Sequence, residues 1–212
     1  MSAIPISCFI LAPLLLWGLF TWHTVAFLLL LLIAFVVGAL LVCELPTSDQ
    51  HWAFLLFILT EVCLFVAFLH SCSWFFSSDL ESVSDSLELP FVGCFLLLGS
   101  SISITGFHHI LGWEHSSLLL VLTAVLGIGF ILLQLIEFSE AIVGFSWNGF
   151  YSASLATIGL HFSHVGVGVL LMCLLLWLGP PRSGVHYCTL LTWYWHFVDY
   201  IWLLVYALVY VC

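Results

Sequence analysis

A carboxyl group stands in the middle of an otherwise apolar run. Glu61 lies in Ile58-Leu59-Thr60-Glu61-Val62-Cys63-Leu64-Phe65, about ten residues and hence ~15 Å into the run if it is helical. A charge at that depth in a bilayer costs ~2.5–3.5 kcal/mol on insertion scales, so the protonated form is the less costly one. Such a group could pass protons, meet a partner's polar group or react with carboxyl reagents. The plainer reading is a neutral carboxyl hydrogen-bonded to a neighbouring helix. Glu137 and Glu140, and His161 and His164, are two further pairs at a spacing of three, which places each pair on one helical face. Carboxylates and histidines on facing helices can hold a di-metal centre, but that plan wants a Glu-x-x-His unit on each of two helices, and the sequence has none. A bis-histidine haem needs ligands on different helices, whereas His161 and His164 share one. Interhelical hydrogen bonding is the better account, with no metal site expected.

The string Thr192-Trp193-Tyr194-Trp195-His196-Phe197-Val198-Asp199-Tyr200 adds His196 and Asp199, three apart, where a carboxylate can orient or charge an imidazole. No positioned nucleophile accompanies them, so no catalytic triad is expected. His196 and Glu61 each lie roughly eight to ten residues from span ends on one membrane side, which predicts matching depths.

The elements that must position these groups follow from composition. The chain has 212 residues, 64% hydrophobic, with one basic residue, Arg182, and eleven acidic ones; its mean hydropathy is +1.30. No single soluble core could hide that much apolar surface. A membrane-spanning helix takes ~20 residues and each pass with its connection about 30, which predicts about seven passes. One basic residue leaves no electrostatic footprint for nucleic acid, no polybasic lipid-binding segment and no lysine-built phosphate cradle. Seven acids fall in connections: Glu44, Asp49, Asp79, Glu81, Asp85, Glu88 and Glu114. The eight cysteines form no C-x-x-C pair and mostly sit within apolar runs, where they read as small hydrophobes. No removable targeting segment is visible at the N-terminus.

Apolar runs divided at polar breaks give spans near 4–20, 25–43, 51–76, 90–109, 117–140, 150–178 and 187–211. Pro90 suits the first turn of the fourth, and Gly179-Pro180-Pro181-Arg182-Ser183-Gly184 is the sharpest break. The expected fold is an all-α membrane protein of seven transmembrane helices. The lone arginine, if its loop faces the positive-inside side, puts the N-terminus on that side as well and the acidic loop 77–88 with the C-terminus opposite.

Trp193-Tyr194-Trp195-His196-Phe197-Val198-Asp199, continuing Tyr200-Ile201-Trp202-Leu203-Leu204-Val205-Tyr206, resembles the last helix of cytochrome c oxidase subunit III. Thr60-Glu61-Val62 with Phe65 resembles the acid-bearing third helix of that family. Leu87-Glu88-Leu89-Pro90, Ser101-Ile102-Ser103-Ile104-Thr105 and His108-His109 resemble the fourth, and Leu133-Gln134, Glu137-Phe138 and Gly159-Leu160-His161-x-x-His164-Val165 the fifth and sixth. The likeness runs in register over roughly residues 50–212 and is closer to mitochondrial members than to the five-helix bacterial quinol oxidase subunit.

The resemblance implies a two-helix N-terminal hairpin (residues 1–45) splayed from a five-helix bundle (46–212), a mitochondrial inner-membrane location, and an N-terminus and Arg182 loop in the matrix with the C-terminus toward the intermembrane space. It implies a non-catalytic subunit that packs against the haem-bearing catalytic subunit, holds structural phospholipids and supports proton uptake. Haem and copper would lie in partner subunits, and cytochrome c would bind near the complex. Carried over, Glu61 is the buried carboxyl; Trp193, Trp195, His196 and Asp199 form the helix-seven motif; His108, His109, Glu137, His161 and His164 are interhelical polar groups; Arg182 meets lipid headgroups. The chain departs from the family in its short termini and loops, in Thr189, where the family has glutamate, and in its near-total lack of basic residues. A quinol-oxidising relative and a free-standing proton-coupled transporter using Glu61 are the alternatives, with a haem-bearing membrane cytochrome a third.

Overall fold

Backbone groups in lipid find no water, so a long apolar run must bond to itself as a helix. The computed structural model describes residues 47–77, 83–85, 87–113, 115–140 and 148–211. Five α-helices follow in order: α1 Thr47–Phe75, α2 Leu89–His109, α3 Ser116–Glu140, α4 Gly149–Leu178 and α5 Pro180–Val205, the last continuing into a π-helical turn, Tyr206–Val211. All five are long and apolar enough to cross a membrane. They match the third to seventh expected spans; the spans near 4–20 and 25–43, and with them the splayed hairpin and the count of seven, lie outside the described residues. The chain divides into two compact units, Met1–Leu56 and Phe57–Cys212. Of the first, only residues 47–56, the opening turns of α1, are described.

One boundary differs from expectation. The Gly179–Gly184 break was expected to be loop, yet helix resumes at Pro180. Gly179, at φ 84°, ends α4, and prolines at the first two positions of α5 are tolerated because those N–H groups have no partner in a helix anyway. The interruption shrinks to a kink at Gly184, which at φ 76° takes a conformation that favours glycine.

Helices α2, α3, α4 and α5 pack in a ring, each against the next, with α5 closing on α2. Trp195 of α5 fills the centre and is fully buried. Two glycines make room for it: a Cβ on Gly127 of α3 would stand 2.9 Å from its ring, and one on Gly168 of α4 2.7 Å. Between apolar helices in lipid, close packing of this kind replaces the hydrophobic drive of a soluble core. Helix α1 meets the ring through side chains, with Phe65 set edge-on to His164 at 5.2 Å and to Phe197 at 6.1 Å. The outward faces are apolar, Ile102, Leu118 and Leu170 among them, as a surface solvated by lipid requires.

Serine and threonine inside these helices return their hydroxyl protons to carbonyls three or four residues back. Ser100 bonds Leu97, Thr105 bonds Ser101, Thr189 bonds Val185 and Thr192 bonds Cys188. This disposes of the donor in a medium with no water. It also leaves each of these oxygens free to act only as an acceptor toward a neighbouring helix.

Candidate functional site

Glu61 enters the bundle from α1, eleven residues past Gln50, about 16 Å along the helix, and meets α4. Its Oε2 lies 3.1 Å from His164 Nε2. The other ring nitrogen of His164 is 2.8 Å from the Leu160 carbonyl, which can only accept, so Nδ1 carries a proton. The Nε2–Oε2 contact must then hold one proton more: either the carboxyl donates to a neutral imidazole or an imidazolium donates to a carboxylate. The surroundings are aromatic. Phe65 packs against the imidazole, and Tyr194 of α5 stacks on it at 6.4 Å while its hydroxyl donates to the His164 carbonyl at 3.1 Å. A carboxyl, an imidazole and a shared proton at membrane depth can take up or release one proton, provided a path reaches them.

His196 was expected to pair with Asp199, and its depth to match that of Glu61. The pairing does not form: the ring of His196 is held by α2 instead, while its place twelve residues into its span, against eleven for Glu61, stays in line with similar depths. Its Nδ1 lies 2.7 Å from Ser101 Oγ and its Nε2 3.2 Å from Thr105 Oγ1, both on α2. Since Thr105 has already given its proton to the Ser101 carbonyl, it can only accept, so His196 bears its proton on Nε2 and accepts from Ser101. The spacing of three correctly put His196 and Asp199 on one face of α5. What it could not show is that α2 presents two hydroxyls, one turn apart, that suit a neutral imidazole better than a carboxylate does.

His161, buried, donates Nε2–H to the Val198 carbonyl at 3.1 Å and packs edge-on to Phe130 at 5.5 Å. His108 Nε2 donates to Thr189 Oγ1 at 3.1 Å; threonine here gives α5 a bond to α2 at the position where the family resemblance implies glutamate. His109 is exposed beside it. The Trp195 indole N–H donates to Ser100 at 2.8 Å, whereas Trp193 is only partly covered. Arg182 lies in the first turn of α5, and its side chain is outside the described ones. Glu137 and Glu140 separate: Glu140 is exposed, while Glu137 is buried and accepts from Ser84 at 2.8 Å and from the Gln134 amide at 2.6 Å. A residue of the acidic loop is thereby tied to the end of α3. Among the described residues, no three His, Cys, Asp or Glu side chains gather as a metal site would need.

Sequence reading missed Ser101, Thr105, Ser84 and the Leu160 carbonyl as partners. The hydroxyl pair had a usable signal in its spacing of four, one helical turn. The other two had none. Because Ser101 and Thr105 clamp His196, the double change Ser101→Ala with Thr105→Val should destabilise the protein by more than His196→Leu does. The double variant leaves two part-buried imidazole nitrogens without their partners, at about 1 kcal/mol each, the low end for a stranded polar group, whereas leucine removes the need for partners. Thermal unfolding of the two variants in the membrane ranks them.

Comparison with known proteins gives a consistent result. Residues 46–212 match the family model described as cytochrome c oxidase subunit III. Cytochrome c oxidase subunit 3 of Myxine glutinosa is 32% identical over 188 residues, covering 79% of this chain and 71% of its own. The Drosophila yakuba protein of the same name is 33% identical over 185 residues, with 77% and 70% covered. That of Rattus norvegicus is 32% identical over 181 residues, with 76% and 68% covered.

Proposed function

This chain belongs to the cytochrome c oxidase subunit III family, and on that premise we propose that it is a core subunit, without a redox centre of its own, of a mitochondrial cytochrome c oxidase. In this reading it is a multi-pass protein of the inner membrane, N-terminus toward the matrix, bound to the haem- and copper-bearing catalytic subunit and to structural phospholipids. The complex oxidises cytochrome c and reduces oxygen to water. This chain stabilises the assembly and supports proton uptake.

The observation that carries the proton role is the Glu61–His164 contact. A purely structural hydrogen bond would serve as well with a glutamine in place of the acid. A proton-exchanging pair would not. Glutamine reproduces the protonated carboxyl closely: its amide N–H can donate to His164 Nε2 while Nδ1–H stays on Leu160. What it lacks is a proton that can leave. Glu61→Gln is therefore expected to leave the complex assembled, with an unchanged haem spectrum, and to alter its turnover or the rate at which turnover decays. Steady-state oxygen consumption by the purified complex reads this directly. Wild-type turnover and decay in the assembled variant would reject the proton role, and failure to assemble would assign Glu61 to packing. Membership of the complex has its own check, which is co-purification of this chain with a haem-bearing large subunit.

A further inference from the structure

Asp199 is buried at 1% exposure, and neither of its carboxyl oxygens makes a hydrogen bond. It lies fifteen residues past Gly184 in a span of 28, near mid-membrane. There an aspartate costs ~2.5–3.5 kcal/mol on insertion scales. Protonation removes the charge but turns the group into a donor that needs an acceptor, so neither form is satisfied alone.

The polar groups nearest the carboxyl on α2 and α5 are committed elsewhere. Ser101 of α2 reaches toward the carboxyl, but its 2.7 Å bond is to His196 Nδ1, and His196 has both nitrogens occupied. Cys94, on the same face of α2 as Ser101, offers only a thiol, a weak donor and a weak acceptor. It lies beside the indole of Trp202 as well as near Asp199. Trp202 follows Asp199 by three residues, hence on the same face of α5. It is fully buried, and its indole N–H makes no hydrogen bond of good geometry. The Cys94 sulfur beside it is only a weak acceptor, and the His161 ring tilted against it at 5.0 Å has an Nδ1 with no partner of its own. Acceptors without a donor and a donor without an acceptor thus share one buried seam between α2 and α5. A water molecule, which both donates and accepts, completes such a set, and buried waters occur where two to four polar atoms would otherwise go unsatisfied.

We propose that Asp199 and the Trp202 indole N–H hold buried water between α2 and α5, so that Asp199 is a hydrated carboxyl inside the bundle, separate from the Glu61–His164 pair. The hydration stands or falls independently of any proton role for Glu61.

X-ray hydroxyl-radical footprinting of the intact complex tests this, because radicals made from bound water label adjacent side chains that bulk solvent never reaches. The protein carries its own control. Trp195 and Trp202 are both 0% exposed, but the Trp195 indole N–H is already on Ser100 at 2.8 Å. Trp202 is expected to label several-fold faster than Trp195. Asp199→Asn, whose amide can hold the same water, should keep that excess, and Asp199→Leu should bring Trp202 down to the level of Trp195. Equal, low labelling of the two tryptophans in the wild-type complex overturns the proposal, even if the leucine variant fails to assemble. So does an excess that survives the leucine substitution, or a cryo-EM map in which Asp199 bonds Ser101 directly with no density between.

Discussion

Alanine at Trp195 is expected to weaken the bundle by ~3–5 kcal/mol, the range for removing a large buried aromatic and leaving its space. The ring is walled by Gly127 and Gly168, which present no side chain that could turn inward to fill the gap, and lipid tails cannot enter a fully buried position. The opposite error, Gly168→Val, should cost ~1–3 kcal/mol by overpacking. A Cβ there already stands 2.7 Å from Trp195 and 3.3 Å from Tyr194. Trp195 cannot swing aside without giving up its bond to Ser100. Melting of the purified complex, followed by release of the subunit, reads both. The further expectation is that Gly168→Val combined with Trp195→Phe recovers part of the loss, because the smaller ring vacates the atoms that clash.

The second large effect is at Glu61 and His164, and its size would reveal the charge state. His164→Leu strands the Glu61 carboxyl; Glu61→Leu strands the imidazole. Both should destabilise the subunit, and Glu61→Leu with His164→Leu together should restore much of the stability, since two leucines ask for no partner. The pair is part-buried, with His164 14% and Glu61 21% exposed. Losing one member of a neutral pair should therefore cost about 1 kcal/mol, the low end for a stranded polar group. Losing one member of an ion pair should cost more than that, but less than the ~3–5 kcal/mol of a fully buried one. A double-mutant cycle on thermal release therefore sorts the two proton positions by magnitude. A coupling energy near zero would mean that the contact contributes nothing to holding α1 on α4.

The helices were legible because the bilayer, not tertiary packing, sets their length. Hydropathy and polar breaks placed four of the five described helices within a few residues, including Pro90 in the first turn of α2. The fifth starts earlier because a Pro-Pro pair after glycine is as good a helix opening as it is a break. That Glu61 needs a polar partner was legible from depth alone. Its partner was not, because helical periodicity tells which residues share a face but not which helix that face meets. Hydrogen bonds inside these helices follow the same division. That Thr105 returns its proton to its own helix is a local matter, whereas its receipt of the His196 proton depends on α2 and α5 being neighbours. Fold and depth are thus properties of single segments, while the candidate site arises from their arrangement.

The Leu160 carbonyl also governs how the membrane potential acts on Glu61. By keeping the Nδ1 proton of His164 in place, it leaves one proton for the 3.1 Å contact, and the formal charges of the two side chains sum to zero wherever that proton sits. Carrying a full charge through a membrane is worth ~2.3 kcal/mol per 100 mV. A proton passing between adjacent spans covers almost none of that distance. While the pair keeps its proton, a membrane voltage therefore meets a small dipole at this position and leaves the choice between the oxygen- and nitrogen-bound forms to local chemistry; it meets a full charge only in the step that takes up or releases a proton.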